Sequence, residues 1–151
     1  MNGVSTPPEV TDEETLAAIV REARVVAVIG MVDETKAHRP ALEIPRMLIQ
    51  RGMKVIPVNP RIQTSLGLTA YPDLASVPER FDVVDVFRRP EDVPPHADEV
   101  LALPADRRPR VFWMQTGIRN DAAAAKLAAA GIAVVMDHCL GVYAARYRKR
   151  V

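Results

Sequence analysis

The chain has 151 residues, 48% hydrophobic and 26% charged, which fits one globular domain and excludes wholesale disorder. Twenty Lys and Arg against nineteen Asp and Glu leave a net charge of +1, which argues against a general polyanion binder while allowing a local basic cluster. No apolar run approaches the roughly twenty residues of a membrane helix, the polar start MNGVSTPPEVTDEE fits neither a signal nor a transit peptide, and the single cysteine, Cys139, suits a reducing cytoplasm.

Residues 1–10 read as a flexible tail and 11–151 as a single domain. Thr11 with Glu14 three residues on predicts a capping box opening a helix through about Glu22. A β-branched run, Val25–Ile29, follows as a strand. Ala41–Arg51 reads as a helix closed by Gly52, and Pro45 inside it demands either a start near Ile44 or a kink. Met53–Val58 is the second strand. Asn59–Phe81 is weakly patterned, with a helical turn only at Asp73–Ser76. Val83–Phe87 is the third strand, and Pro95–Leu103 a helix stopped by Pro104. Val111–Met114 is the fourth strand, before an alanine-rich helix capped by Asn120 and ended by Gly131. Ile132–Met136 is the fifth strand and Tyr143–Lys149 a closing helix.

The five runs are short and almost continuously apolar, as strands buried on both faces must be. Their starts lie 28, 30, 28 and 21 residues apart, the spacing of successive βαβ units. Thirteen prolines, against roughly seven or eight at average usage, fall mostly between the runs and punctuate them. Right-handed crossovers then predict an α/β, three-layer Rossmann-like domain with a five-stranded parallel sheet in the order 3-2-1-4-5.

Ligands of such sheets bind beyond the C-terminal ends of the strands. Here those ends read Gly30-Met31-Val32, Asn59-Pro60-Arg61, Arg88-Arg89-Pro90, Gln115-Thr116-Gly117 and Asp137-His138-Cys139, and the first loop adds Lys36, His38 and Arg39. Cations gathered at one rim of a nearly neutral chain point to an anionic, phosphorylated small molecule. The loop GMVDETK lacks G-x-G-x-x-G, Asn59 stands where an NAD-binding chain carries an acid, and no Walker A sequence occurs. His38, His96 and His138 are scattered, so no metal site is expected. Asp85, inside an apolar strand, reads as a structural acid bonding loop amides rather than as a base, and Cys139 as a small buried hydrophobe. No acid, base and nucleophile constellation can be assembled, which leans against an enzyme.

The succession V-A-V-I-G, R-P before a helix, V-I-P-V-N-P, Y-P-D-L, D-V-V-D-V-F-R-R-P, W-M-Q-T-G-I and V-V-M-D-H-C resembles the small stand-alone CoA-binding domain proteins. These are similar to the CoA-binding domain of the succinyl-CoA synthetase alpha subunit, and the likeness covers about residues 24 to 141. It implies that coenzyme A, free or acylated, crosses the strand ends. Gly30, Met31, Val32, Arg39 and Pro40 would meet the diphosphate. Asn59, Pro60 and Arg61 would supply a basic contact, and Phe87, Arg88 and Arg89 would flank the adenosine. Gln115, Thr116, Gly117 and Ile118 match a T-E-G-I-like segment, past which a pantetheine arm would approach His138 and Cys139. The chain departs from the pattern at Ala41, often a serine, at Pro45, and at His138, usually an arginine. The ligase's second domain has no counterpart, so ligase activity is not implied. The expected function is a non-catalytic CoA or acyl-CoA sensor, carrier or regulatory module; the alternative is a small NADP-like oxidoreductase. Neither nucleic acid nor membrane is an expected partner, and nothing in the sequence supports a protein partner or homo-oligomer.

Overall fold

The computed structural model describes residues 9–151. In chain order the elements are α1 (Glu13–Glu22), β1 (Val25–Ile29), α2 (Pro40–Gln50), β2 (Lys54–Val58), β3 (Thr64–Ser65), β4 (Leu68–Thr69), β5 (Val83–Val86), α3 (Val93–Ala102), β6 (Val111–Met114), α4 (Asp121–Ala129), β7 (Ala133–Val135) and α5 (Leu140–Tyr147). Short 3₁₀ turns precede α2 and α3 and follow α3.

The expected three-layer α/β architecture is present, with β1, β2, β5, β6 and β7 forming one parallel sheet. Successive strand residues point to opposite faces. Val26, Val28, Val55, Trp113 and Val135 meet Leu16 and Val20 of α1, Leu48 of α2 and Leu140 of α5. Ala27, Ile29, Ile56, Val84, Val86, Phe112 and Met114 meet Val93, Ala97 and Val100 of α3 and Ala124 and Leu127 of α4.

Counted over the five long strands, the order is 2-1-3-4-5. The expected order, 3-2-1-4-5, set the third strand outside the second. The connector after β2 explains the difference. The Tyr71 N–H donates to the Pro57 carbonyl at 3.0 Å and the Asn59 N–H to the Tyr71 carbonyl at 2.9 Å, so this segment occupies the outer edge of β2. The third strand, β5, therefore pairs with β1. The connector also holds an antiparallel hairpin, β3–β4, turned by Leu66 and Gly67 at φ 52° and 76°. Asp73–Ser76 is a turn rather than helix, held by the Ser76 N–H on Asp73 Oδ1 at 2.9 Å.

Several boundaries shift. The cap of α1 is Asp12, one residue past Thr11; its carboxylate accepts the Thr15 N–H at 2.9 Å. α2 begins at Pro40, where a missing N–H costs nothing, and runs through Pro45. α3 begins at Val93 with Pro94 and Pro95 in its first turn, and α5 begins at Leu140. Asn120 caps α4 as expected, accepting the Ala123 N–H at 2.9 Å. Of the expected tail 1–10, residues 1–8 lie outside the described ones. Glu9 and Val10 are joined to the sheet: the Val10 N–H donates to the Val134 carbonyl at 2.7 Å, and Glu9 pairs with Arg119 at 2.7 Å.

Candidate functional site

The connections from β1 and β5 leave in opposite directions, opening a crevice beyond their C-terminal ends. Gly30 forms its floor. At φ +82° and against the Phe87 carbonyl oxygen, which a Cβ would overlap, only glycine fits. The backbone behind it is fixed, because the Gly30 N–H donates to Val58 and the Phe87 N–H to Ile29, both at 2.9 Å.

The next loop is pinned from several sides. Asn59 Nδ2 donates to the Met31 carbonyl at 2.9 Å, and Ser65 Oγ to the Val32 carbonyl at 2.8 Å. Asn59 Oδ1 accepts the Arg61 N–H at 2.9 Å, so Asn59 orders two loops at once. Asp33 accepts from the Thr35 N–H and hydroxyl, which hold its carboxyl below the usual carboxylate range. The Val32 N–H donates to the Ala41 carbonyl at 3.2 Å, tying the loop to the first turn of α2. Among the described residues no side chain caps that helix start, where Arg39 stands at the N-cap.

Two adjoining chambers occupy the crevice and share Gly30, Val32, Arg39, Phe87, Arg88 and Arg89. One, of about 660 Å³, is cationic, with Lys36, Arg39, Arg61, Arg88 and Arg89 against Asp33 and Asp92. Arg89 pairs with Asp92 at 3.0 Å and Arg88 with the same carboxylate at 3.9 Å. Lys36, Arg39 and Arg61 have no ion pair among the described residues. The other, of about 710 Å³, is walled mainly by apolar groups of Pro40, Ala41, Ile44, Phe87, Pro90 and Ile118, with Gln115 and Thr116 beside them. Phosphates suit the first chamber, with guanidinium forks and an uncapped helix start; an uncharged chain suits the second.

Of the candidate residues, Gly30, Val32, Arg39, Asn59, Arg61, Phe87, Arg88, Arg89, Gln115, Thr116 and Ile118 line these chambers. Met31 lies in the core at 0% exposure. Pro60 and Gly117 stand in adjacent loops, with the Gly117 N–H on Asp137 Oδ1 at 2.6 Å. His138 and Cys139 stand past the β7 end. The His138 carbonyl accepts the Trp113 Nε1–H at 2.8 Å, and Cys139 is the half-buried N-cap residue of α5. Thr35, Ile44, Ile62 and Asp92 were not expected at the site. Ile44 had a legible signal, one helical turn after Pro40 and hence on the same face. Asp92 had none.

Asp85 does not bond loop amides as expected; its hydrogen-bond partner among the described residues is a side chain. Gln115 Nε2 donates to Asp85 Oδ1 at 2.7 Å with both residues buried. Burial pushes the Asp85 carboxyl up to about 7, against the lowering effect of hydrogen bonds from Gln115 and the Val86 backbone.

Residues 24–145 match the family described as CoA binding domain. The chain belongs to that family. The CoA binding domain is 35% identical over 124 residues to the uncharacterized protein YneT of Bacillus subtilis, covering 82% of this chain and 87% of that one. It superposes with a TM-score of 0.80 on a Thermus thermophilus protein described as cell-free ID.343, at 37% identity over 91% of this chain and 99% of the other. A hypothetical protein from Pyrococcus horikoshii OT3 gives a TM-score of 0.82 at 25% identity, covering 97% and 99%. The dinucleotide-forming acetyl-coenzyme A synthetase 1 of Ca. Korarchaeum cryptofilum shares the fold, with a TM-score of 0.59 at 20% identity over 78% of this chain and 27% of that one. Among the described residues no helix is long and apolar enough to cross a membrane.

Proposed function

We propose that this CoA binding domain holds coenzyme A or an acyl-CoA across the ends of β1 and β5, as a non-catalytic sensor, carrier or regulatory module of the cytoplasm. The observation that carries this reading is the pair of adjoining chambers, one cationic and one apolar, which matches a ligand with a polyphosphorylated nucleotide at one end and an uncharged arm at the other. Lys36, Arg39 and Arg61 supply charge without an ion pair among the described residues, and the start of α2, which no described side chain caps, offers a positive end for the diphosphate. Phe87, Arg88 and Arg89 border both chambers and stand where the nucleotide passes into the arm.

Calorimetry tests the reading. CoA binds at least tenfold more tightly than dephospho-CoA, because one charge-assisted contact is worth about 1.5–3 kcal/mol. NAD binds weakly. Tight NADP binding without CoA binding overturns the proposal in favour of a small oxidoreductase.

A further inference from the structure

The buried pair Asp85–Gln115 lies where the apolar chamber meets the core, and its hydrogen bonding is incomplete. Gln115 is 3% exposed yet contributes to the chamber wall, while Asp85 is 0% exposed on β5. One bond joins them, from Gln115 Nε2 to Asp85 Oδ1 at 2.7 Å. Asp85 Oδ2 and Gln115 Oε1 find no partner among the described residues. Buried polar atoms left in this way are costly, so each calls for a donor.

A single proton on Asp85 Oδ2 would supply a donor for Gln115 Oε1, closing the two side chains into a reciprocal acid–amide pair. An ionised Asp85 can only accept. It then keeps Nε2 turned toward itself and leaves Oε1 for something else. The ligand arm in the apolar chamber is the candidate, since the pantetheine arm of CoA carries two amide N–H groups in an otherwise uncharged chain.

Resting on the CoA reading above, we propose that Asp85 is a positioning residue that holds Gln115 with its carboxamide oxygen free to accept an amide N–H from the ligand arm. Its carboxyl, raised to about 7 by burial, changes state close to neutral pH. Protonation engages Gln115 Oε1 and withdraws it from the arm, so the arm's contribution to affinity grows as pH rises through about 7. The strand neighbours of Asp85 are Val28 and Trp113, and the helices over this face bring Leu16, Val20, Leu48 and Leu140. No charged side chain contributes to the shift, whose causes are burial, Gln115 and the Val86 backbone. The chain also carries His38, His96 and His138, and a change confined to Asp85 separates its effect from theirs.

The experiment compares CoA with adenosine 3′-phosphate 5′-diphosphate methyl-esterified on its terminal phosphate, which keeps the ionisation of CoA and lacks only the arm, by calorimetry from pH 6 to pH 8. In the wild type, the ratio of the two affinities rises about tenfold across this range. In Asp85→Asn, whose carboxamide can donate to Gln115 Oε1 as the protonated acid does, the ratio stays level at the low-pH value. In Gln115→Met it is low throughout. Thermal unfolding of each variant checks that it folds; should Gln115→Met fail to, the wild type and Asp85→Asn still decide. A level wild-type ratio, or an Asp85→Asn variant that keeps the slope, overturns the proposal. If both ligands bind but the arm adds nothing at any pH, this inference fails while nucleotide binding stands. If neither binds, the CoA reading fails with it.

Discussion

The Val32 N–H donates to the Ala41 carbonyl at 3.2 Å, and Ala41 is the residue whose carbonyl the proline at position 45 leaves without a helical donor. In an α-helix that carbonyl accepts from the residue four ahead, and Pro45 has no N–H. The vacancy fixes the loop after β1 against α2, at the border shared by both chambers. A residue that weakens the helix thus shapes the site.

Pro45→Ala restores the competing donor. Helix propensity gains up to about 3 kcal/mol, so the thermal midpoint holds or rises. The Val32 loop loosens, and CoA affinity falls several-fold. Thermal unfolding and calorimetry on the same variant read both quantities; an unchanged affinity would show that the Val32–Ala41 bond does not shape the site.

Gly30→Ala faces the Phe87 carbonyl oxygen and a φ of +82°. The left-handed backbone alone costs about 1–2 kcal/mol, and the clash adds to it. A loss above about 2 kcal/mol is expected in urea unfolding. Gly141→Ala is the comparison, since its Cβ would meet only the Ile44 and Met47 side chains, at 3.2 and 3.3 Å. Equal losses for the two would show that the Phe87 approach is looser than described.

Much of this fold was legible because its signals are local. Two-sided burial makes each strand a continuous apolar run, and Asn120 and Gly131 bracket α4 through their own backbone chemistry. The strand order was not legible. It depends on where the connector with Tyr71 lies against β2, a tertiary contact with no periodic trace. The hairpin turn at Leu66-Gly67 was visible only as a single glycine. At the site, the rim arginines could be read from loop positions. The Asp85–Gln115 bond could not, because it joins a residue of β5 to one 30 positions later, just past β6, through side chains alone.

Stability should depend on Asp85 in a defined pH window. Its native carboxyl is raised from 3.8 to about 7, so the folded protein keeps a proton that the unfolded chain releases. That proton stabilises the fold at low pH, and its contribution is lost as pH rises between about 4 and 7, with no further loss above. The full loss is on the order of 4 kcal/mol. Asp85→Asn lacks this loss, so its midpoint exceeds the wild-type one at pH 8 and approaches it at pH 4. Parallel profiles for the two proteins would refute the assignment.

Arg148 caps two helices at the opposite end of the sheet. Its guanidinium donates to the carbonyls of Val20 and Arg21 in the last turn of α1, to that of Ala23 just past it and to that of Arg51 after α2, at 2.8–3.1 Å. Arg148→Ala strands several of these acceptors and costs about 1–3 kcal/mol by denaturant unfolding, with CoA affinity unchanged. A weakened affinity would mean that this end communicates with the crevice.

Arg61→Ala tests the cationic chamber. Arg61 is exposed in a loop, so its loss leaves stability within about 0.5 kcal/mol while weakening CoA about tenfold. Arg89→Ala loses less, because Arg89 is already paired with Asp92. If neither variant changes affinity, the nucleotide does not cross these strand ends.

The most direct measurement is native mass spectrometry of the gently purified protein, alone and with an equimolar mixture of CoA, dephospho-CoA, NAD and NADP. Retention of CoA or an acyl-CoA, and its selection from the mixture, is the expected result. Selection of NADP, or retention of no nucleotide at all, would contradict the account.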